Sequence, residues 1–468
     1  AGDQMSRHYQ FESGMTITGS NADVRIPVKP SEEGVLVASL YNEILKSKGL
    51  ATFQVPASSV DLSGLVADLL ENEGKSLVVS GSNDVNIQLI VNGINNLLGN
   101  FGNTVLTAKT LNTHQGIDAE FETLISEIKN KTVAGLLCWG VNPVYNHPAG
   151  QEIKQAVEGL ELSVSFAERI DETAAACHWV CPAPNYLEAW DDAEPKTGSY
   201  SLAQPAISKL FDSRQVQESL LKWGGIEATD FYTTVRNFWN DNLFSQQTEF
   251  TDGKLFWNHS LQRGVFESAV LKEAELNYTQ TGLSDAIAQI KPSSDGWEIV
   301  LYESVALSNG NAGNNPWLHE LPDPVAKVSW DNFASVPVKW AEENGIQNES
   351  VITVNGIELP VVVQPGQAAG TISVALGYGR EIAGKVGEGV GKNMFPLSTI
   401  ENGIRKFWLS GAQVQKTSKT YQLAISQTHH SMEGRPIVRE TSFNEWKLNP
   451  AAGNELKEVH EKNKVTLY

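Results

Sequence analysis

The sequence predicts an α/β protein in which a parallel sheet flanked by helices is followed by a β-barrel-like domain. Three observations carry that expectation. Between residues 32 and 181, short apolar runs of strand character alternate with amphipathic helical stretches, the order that builds a parallel sheet. From about 325 to 440, β-branched runs are broken by turn pairs, most clearly Asn355-Gly356 and Pro365-Gly366. The chain has 468 residues, 41% hydrophobic content and 12 tryptophans, which suits several packed cores and excludes a disordered polymer.

The elements follow in order. EEGVLVASLYNEILKSKG (32–49) has apolar residues at helical spacing and ends on Gly49, a fitting residue just past a helix terminus. KSLVVSGS (75–82) reads as a buried strand turning on glycine, and DVNIQLIVNGINNLLGN (84–100) as the helix after it. FETLISEIKN (121–130) is a second amphipathic helix, VAGLLCWGVNP (133–143) a buried strand, GQEIKQAVEG (150–159) a helix and ELSVSFAE (161–168) a strand. AAACHWVCPAP (174–184) is read as one more strand, stopped by Pro182 and Pro184. Helices are expected on both faces of this sheet, with ligand loops at the carboxyl ends of its strands. Aromatic, helix-like pieces such as DFYTTVRNFWNDNLF (230–244) come next, then a Gly, Asn and Pro-rich loop, SNGNAGNNPWLHELPDP (308–324). The expected organisation is an α/β domain at 1–225, a helical or irregular insert and linker at 226–324, a barrel at 325–440 and a charged tail or linker at 441–468.

Charge and cysteine usage narrow the function. With 35 Lys+Arg against 55 Asp+Glu the net charge is −20, and no basic patch interrupts it, so a nucleic-acid partner is excluded. No apolar run is long enough to span a bilayer. Three cysteines cannot ligate an iron–sulfur cluster by themselves. Cys177 and Cys181 on an extended strand lie about 13 Å apart, too far to share a zinc ion or form a disulfide. They are expected to end an ordinary strand and bind nothing.

Other motifs yield little. GREIAGKVGEGVGKN (379–393) fails the phosphate-loop pattern, because Val386 and Asn393 stand where a glycine and a Ser/Thr are required, and it reads as a flexible glycine loop. His429 and His430, adjacent on a strand, would point to opposite sides. Glu188, Asp191, Asp192 and Glu194 have the chemistry of an acid/base pair, but in so acidic a chain they read as a solvated loop.

The run LLCWGVNP, DETAAACHWVCPAPNYLE and SLAQPAISKLFDSR resembles the molybdopterin oxidoreductase family. The matching features are Gly140, Asn142-Pro143, Asp171-Glu172-Thr173, Glu188 and Gln204-Pro205. MSRHYQFESGMTITGSNADVRIPVKPSE and NNPWLHELPDPVAKVSWDNF look closer to the molybdopterin-like half of the large iron–sulfur subunit of alternative complex III, a quinol:cytochrome c oxidoreductase. The resemblance implies Rossmann-like parallel sheets and a double-psi type barrel. It further implies a twin-arginine signal upstream, a ferredoxin-like iron–sulfur domain downstream, and membrane quinol-binding and cytochrome subunits as partners on the periplasmic face. That subfamily carries no molybdenum cofactor in this half, and here His178 replaces the family's acidic residue. The function implied is a non-catalytic scaffold in a respiratory complex. The alternative is a segment of a molybdenum or tungsten bis-pterin oxidoreductase. In that case Asn142, Asp171, Thr173, His429 and Gly434 are the candidate cofactor-lining residues.

Overall fold

The computed structural model describes residues 5–113, 115–226, 230–270, 278–291, 295–426 and 437–453. The chain forms two units, Ala1–Ala424 and Ile425–Tyr468. In the second, the helix Phe443–Leu448 starts at a capping box in which the Ser442 hydroxyl accepts from Glu445 N–H and the Glu445 carboxylate accepts from Ser442 N–H.

In the larger unit, two parallel strands, β1 (Tyr9–Glu12) and β2 (Val24–Pro27), come first. The helices Glu33–Ser47, Ser63–Glu71, Val85–Leu97 and Leu283–Ala288 then bury a common core that includes Ile44, Ile90, Ile94 and Leu98. Gly49 adopts φ 68°, a left-handed conformation that ends the first helix at the expected place. Asp84 caps the third by accepting from Asn86 N–H. The stretch 75–82 differs from expectation. No strand pairs with it among the described residues, although its residues alternate in exposure with a period of two.

The parallel sheet follows as β3 (Gly135–Cys138), β4 (Leu162–Ser165) and β5 (Trp179–Val180), paired in that order. The helices Asp118–Lys129 and Gly150–Glu158 cover one face through Ile125, Ile153, Val157 and Leu136. The other face is only partly covered, by Val216 and Trp223 of the helix Val216–Trp223, and Leu137, Leu162 and Trp179 stay exposed beside it. The stretch read as one long strand after β4 is mixed. Asp171 accepts from Ala174 N–H and so caps a helix, Glu172–Ala176, which leaves two residues for β5.

An antiparallel sheet of β6 (Asp191–Lys196), β7 (Ser199–Ala203) and β8 (Val265–Glu267) joins the helices Phe231–Phe238 and Gly253–Arg263 in an aromatic core around Trp239, Phe256 and Trp257. No helix among the described residues is long and apolar enough to cross a membrane.

A seven-stranded sheet completes this unit. After β9 (Trp297–Glu303), the short β10 (Val328–Ser329) precedes β11 (Ala334–Pro337), β12 (Ser350–Val354), β13 (Ile357–Gln364) and β14 (Thr371–Leu376). A hairpin of β15 (Thr399–Glu401) and β16 (Ile404–Lys406) leads to β17 (Trp408–Ala412) and β18 (Val414–Thr420). The spatial order is β17-β9-β14-β11-β13-β12-β18. Its outermost strands, β17 and β18, are consecutive in the chain with only Gln413 between them, so the sheet curls until its two ends meet. Ile299, Val336, Ile352, Leu359, Val361 and Ile372 fill the interior.

Candidate functional site

Parallel strands place their following loops on one edge, and here that edge faces the seven-stranded sheet. Gly140, with φ 67°, and Asn142 follow β3, whereas Ala167 to Asp171 follow β4. Opposite them stand Asn311, Asn314, Arg380, Ile382 and Ala383, enclosing a cleft of about 230 Å³.

Behind the cleft lies a buried polar network. Glu172 and Arg380 are each 6% exposed. Arg380 Nη2 donates to Glu172 Oε2 at 2.7 Å, and its Nε donates to both carboxylate oxygens at 2.9 and 3.0 Å. The remaining lone pairs of Glu172 accept from Asn142 Nδ2 at 2.7 Å and from the N–H groups of Glu381 and Ile382. Asn142 Oδ1 accepts from the N–H and the hydroxyl of Thr173, whose Oγ1 in turn accepts from Val144 N–H. On the far side Arg380 donates to the carbonyls of Gly310 and Ile382 and lies 4.7 Å from the centre of the Tyr145 ring. Tyr145 Oη donates to Tyr378 O, and Asn393 Nδ2 donates to Tyr145 O. Two close approaches tighten the seam. A Cβ on Gly387 would sit 1.9 Å from Gly313 O, and one on Gly310 would sit 2.6 Å from the Tyr145 ring.

Electrostatics follow from this geometry. Burial by itself would raise the Glu172 carboxyl, but the hydrogen bonds from Arg380, Asn142 and Ile382 outweigh it and hold the group below its ordinary value. Asp171, one residue earlier, is raised because burial exceeds the help it receives from Ala174 N–H and Arg380. A second tie is made by Arg405, which donates to Asn146 O at 2.6 Å and is pushed down to about 10 by burial.

Of the residues expected to line a cofactor site, Asn142 and Thr173 are bonded to each other, and among the described ones only Asp171 reaches the cleft. Asn142 and Thr173 are spent on the buried network. His429 and Gly434 lie outside the described residues. Sequence reading missed the centre of the network. Glu172 sits inside the Asp-Glu-Thr motif, and its partner Arg380, 208 residues away, sits inside the glycine-rich loop read as flexible. A lone arginine among glycines was the available signal.

The cysteines arrange themselves differently from the pair considered in sequence. Cys177 ends the helix Glu172–Ala176, and its thiol meets Cys138 at the end of β3. Cys181 packs separately, near Val164 and Val216. The carboxylates of 188–194 serve structure. Glu188 closes a turn on Asn185 N–H, Asp192 accepts from Trp239 Nε1 at 2.8 Å, and Glu194 accepts from Gly198 N–H. No group of three or more metal-capable side chains occurs among the described residues.

The cleft suits a pterin dinucleotide poorly. It is smaller than the roughly 300–1,000 Å³ of ordinary small-molecule sites. Its lining carries the carboxylates Glu168 and Asp171, its buried cation Arg380 is committed to Glu172, and its other cation, the exposed Arg169, lies 3.4 Å from Glu168. A pyrophosphate needs cationic or helix N-terminal donors left free to receive it.

No protein-family profile matches the chain. Over 105 residues, 22% of this chain and 15% of the relative, it is 34% identical to the molybdopterin-binding-like subunit of menaquinone reductase from Nitratidesulfovibrio vulgaris (strain Hildenborough). Its fold matches acetylene hydratase from Pelobacter acetylenicus, with a TM-score of 0.54 over 88% of this chain and 74% of that one, at 11% identity. The chain therefore shares the fold of acetylene hydratase, and over 105 residues its sequence is similar to that of a molybdopterin-binding-like subunit, of which it spans 15%.

Proposed function

We propose that this chain is a molybdopterin-oxidoreductase-like scaffold in a respiratory quinol:electron-carrier oxidoreductase of the alternative complex III type. Its work is to hold an iron–sulfur domain and neighbouring quinol-binding and cytochrome subunits in place on the periplasmic face. It performs no chemistry of its own and holds no pterin. One observation carries the reading. The loops that would receive a cofactor are bolted instead to the seven-stranded sheet by Glu172 and Arg380, so the buried cation of the cleft is already matched by a carboxylate. The curled sheet is assigned the double-psi topology on the resemblance alone. A charge of −20 additionally suits a basic electron carrier, whose approach salt would slow.

The test is elemental analysis for Mo, W, Fe and Zn on the purified native subunit, together with fluorescence of oxidised pterin. Iron without molybdenum, tungsten or pterin is the expected result. Stoichiometric pterin with molybdenum or tungsten would replace this reading with that of a working bis-pterin oxidoreductase.

A further inference from the structure

The helix-covered face of the parallel sheet brings two of the three cysteines together. Side chains alternate in direction along β3, so Cys138 points to the same face as Leu136. There Leu136 packs in one cluster with Ala176 and Cys177, at the end of the helix Glu172–Ala176. The Cys138 thiol donates to the Cys177 sulfur, which holds Cys177 below the ordinary thiol value against the effect of burial, and Ser163 adds a second hydrogen bond. Ser163 Oγ also accepts from His178 N–H at 2.9 Å and lies 2.8 Å from His178 Nδ1. A path for the thiol proton therefore runs from the half-buried Cys177 across the buried Ser163 to the exposed His178. The third cysteine stands apart, because Cys181 lines the opposite face of the sheet with Leu137, Leu162 and Trp179.

We propose that Cys138 and Cys177 form a redox site, two thiols that close to a disulfide across the joint between β3 and the helix Glu172–Ala176. The co-reactant is a disulfide, carried by a small thiol or by a protein. Cys138 is buried, so the half-buried Cys177 makes the first attack. It loses its proton through Ser163 to His178, bonds to one sulfur of the incoming disulfide, and expels the other as a thiol. Cys138 then gives up its proton and attacks Cys177 Sγ, and the second sulfur of the co-reactant leaves. Two protein thiols are oxidised to one disulfide, the incoming disulfide is reduced to two thiols, and the two protons end on the released sulfurs. The new bond closes a loop of about 40 residues that contains Gly140, Val141 and the stretch Ala167 to Asp171 of the cleft. It spans the same joint as the hydrogen bond from Asn142 to Glu172, and so makes covalent what the polar network already holds. Nothing in this chemistry depends on the scaffold role.

The experiment titrates the purified, reduced protein with oxidised glutathione under native conditions, alkylates the remaining thiols, and maps the products by mass spectrometry of a non-reducing digest. The expected product joins the peptide of Cys138 to that of Cys177, about 2 Da lighter than the two reduced peptides together, and leaves Cys181 alkylated. In concentrated urea the preference should vanish, and the pair nearest in sequence, Cys177 with Cys181, should appear. Oxidation should also raise the urea midpoint of the native protein and of Cys181→Ser, and dithiothreitol should reverse the rise. A linkage through Cys181 in the folded protein overturns the proposal. So does glutathione that stays on Cys177 while Cys138 remains alkylatable after unfolding, and so does a Cys181→Ser protein that keeps both thiols in excess oxidised glutathione. The mapping on the native chain does not require Cys138→Ser or Cys177→Ser to fold.

Discussion

Replacing Arg380 with Met removes the positive half of a buried pair while keeping most of its bulk. Glu172 would lose its three contacts with the guanidinium, and Gly310 O and Ile382 O would lose a donor each. Three donors stay with the carboxylate, namely Asn142 Nδ2 and the N–H groups of Glu381 and Ile382. Stranding one member of a buried pair costs about 3–5 kcal/mol, and the remaining donors place Arg380→Met near 3 kcal/mol at pH 7. The pH dependence identifies the cause. In the native protein Glu172 titrates below its ordinary value of 4.5, so its contribution is complete above that pH and is lost as the pH falls through the folded value. Without Arg380, burial dominates and the folded value rises above 4.5. The variant then gains on acidification, and the difference from the native protein shrinks toward pH 4. Urea unfolding followed by tryptophan fluorescence at pH 7, 5.5 and 4 measures both effects. A loss under about 1 kcal/mol at pH 7, or a loss that does not change with pH, would refute the assignment of a stabilising ionic clamp.

Two further outcomes follow from the same region. Asp171 has a raised folded value, so its charged form opposes folding above that value and the penalty disappears on acidification; Asp171→Asn keeps a cap oxygen for Ala174 N–H and is expected to raise the urea midpoint at pH 7 but not at pH 3. Cys177 is half-buried and is lowered chiefly by its hydrogen bond with Cys138, whereas the buried Cys138 thiol is raised; iodoacetamide followed by mass spectrometry should therefore modify Cys177 well before Cys138.

Local chemistry made much of this fold legible. Gly49 ends its helix where the sequence places the stop, β3, β4 and the helix Gly150–Glu158 fall inside the expected stretches, and the helix Asp118–Lys129 begins three residues before its stretch. Asn142 and Thr173, both inside the matched motifs, are bonded to each other, and Asp171 caps the helix after it at Ala174 N–H. Their purpose was not legible, because it depends on Arg380, a partner 208 residues away in a segment whose glycines suggest looseness. Close approach explains those glycines better, since Gly387 lies against the backbone of Gly313. The stretch 75–82 shows the converse. Its residues specify a strand, but a ladder needs a neighbour, and side chains stand in on one edge only.

The segment Trp408–Thr420 has a consequence for how the molecule is made. It pairs with β9 through its first half and with β12 through its second, so a single late stretch closes a sheet begun more than a hundred residues earlier. During synthesis every other strand of that sheet emerges from the ribosome first and must wait. A chain truncated near residue 407 would leave β9 and β12 each bare on one side, and aggregation of nascent or clipped protein is the expected penalty.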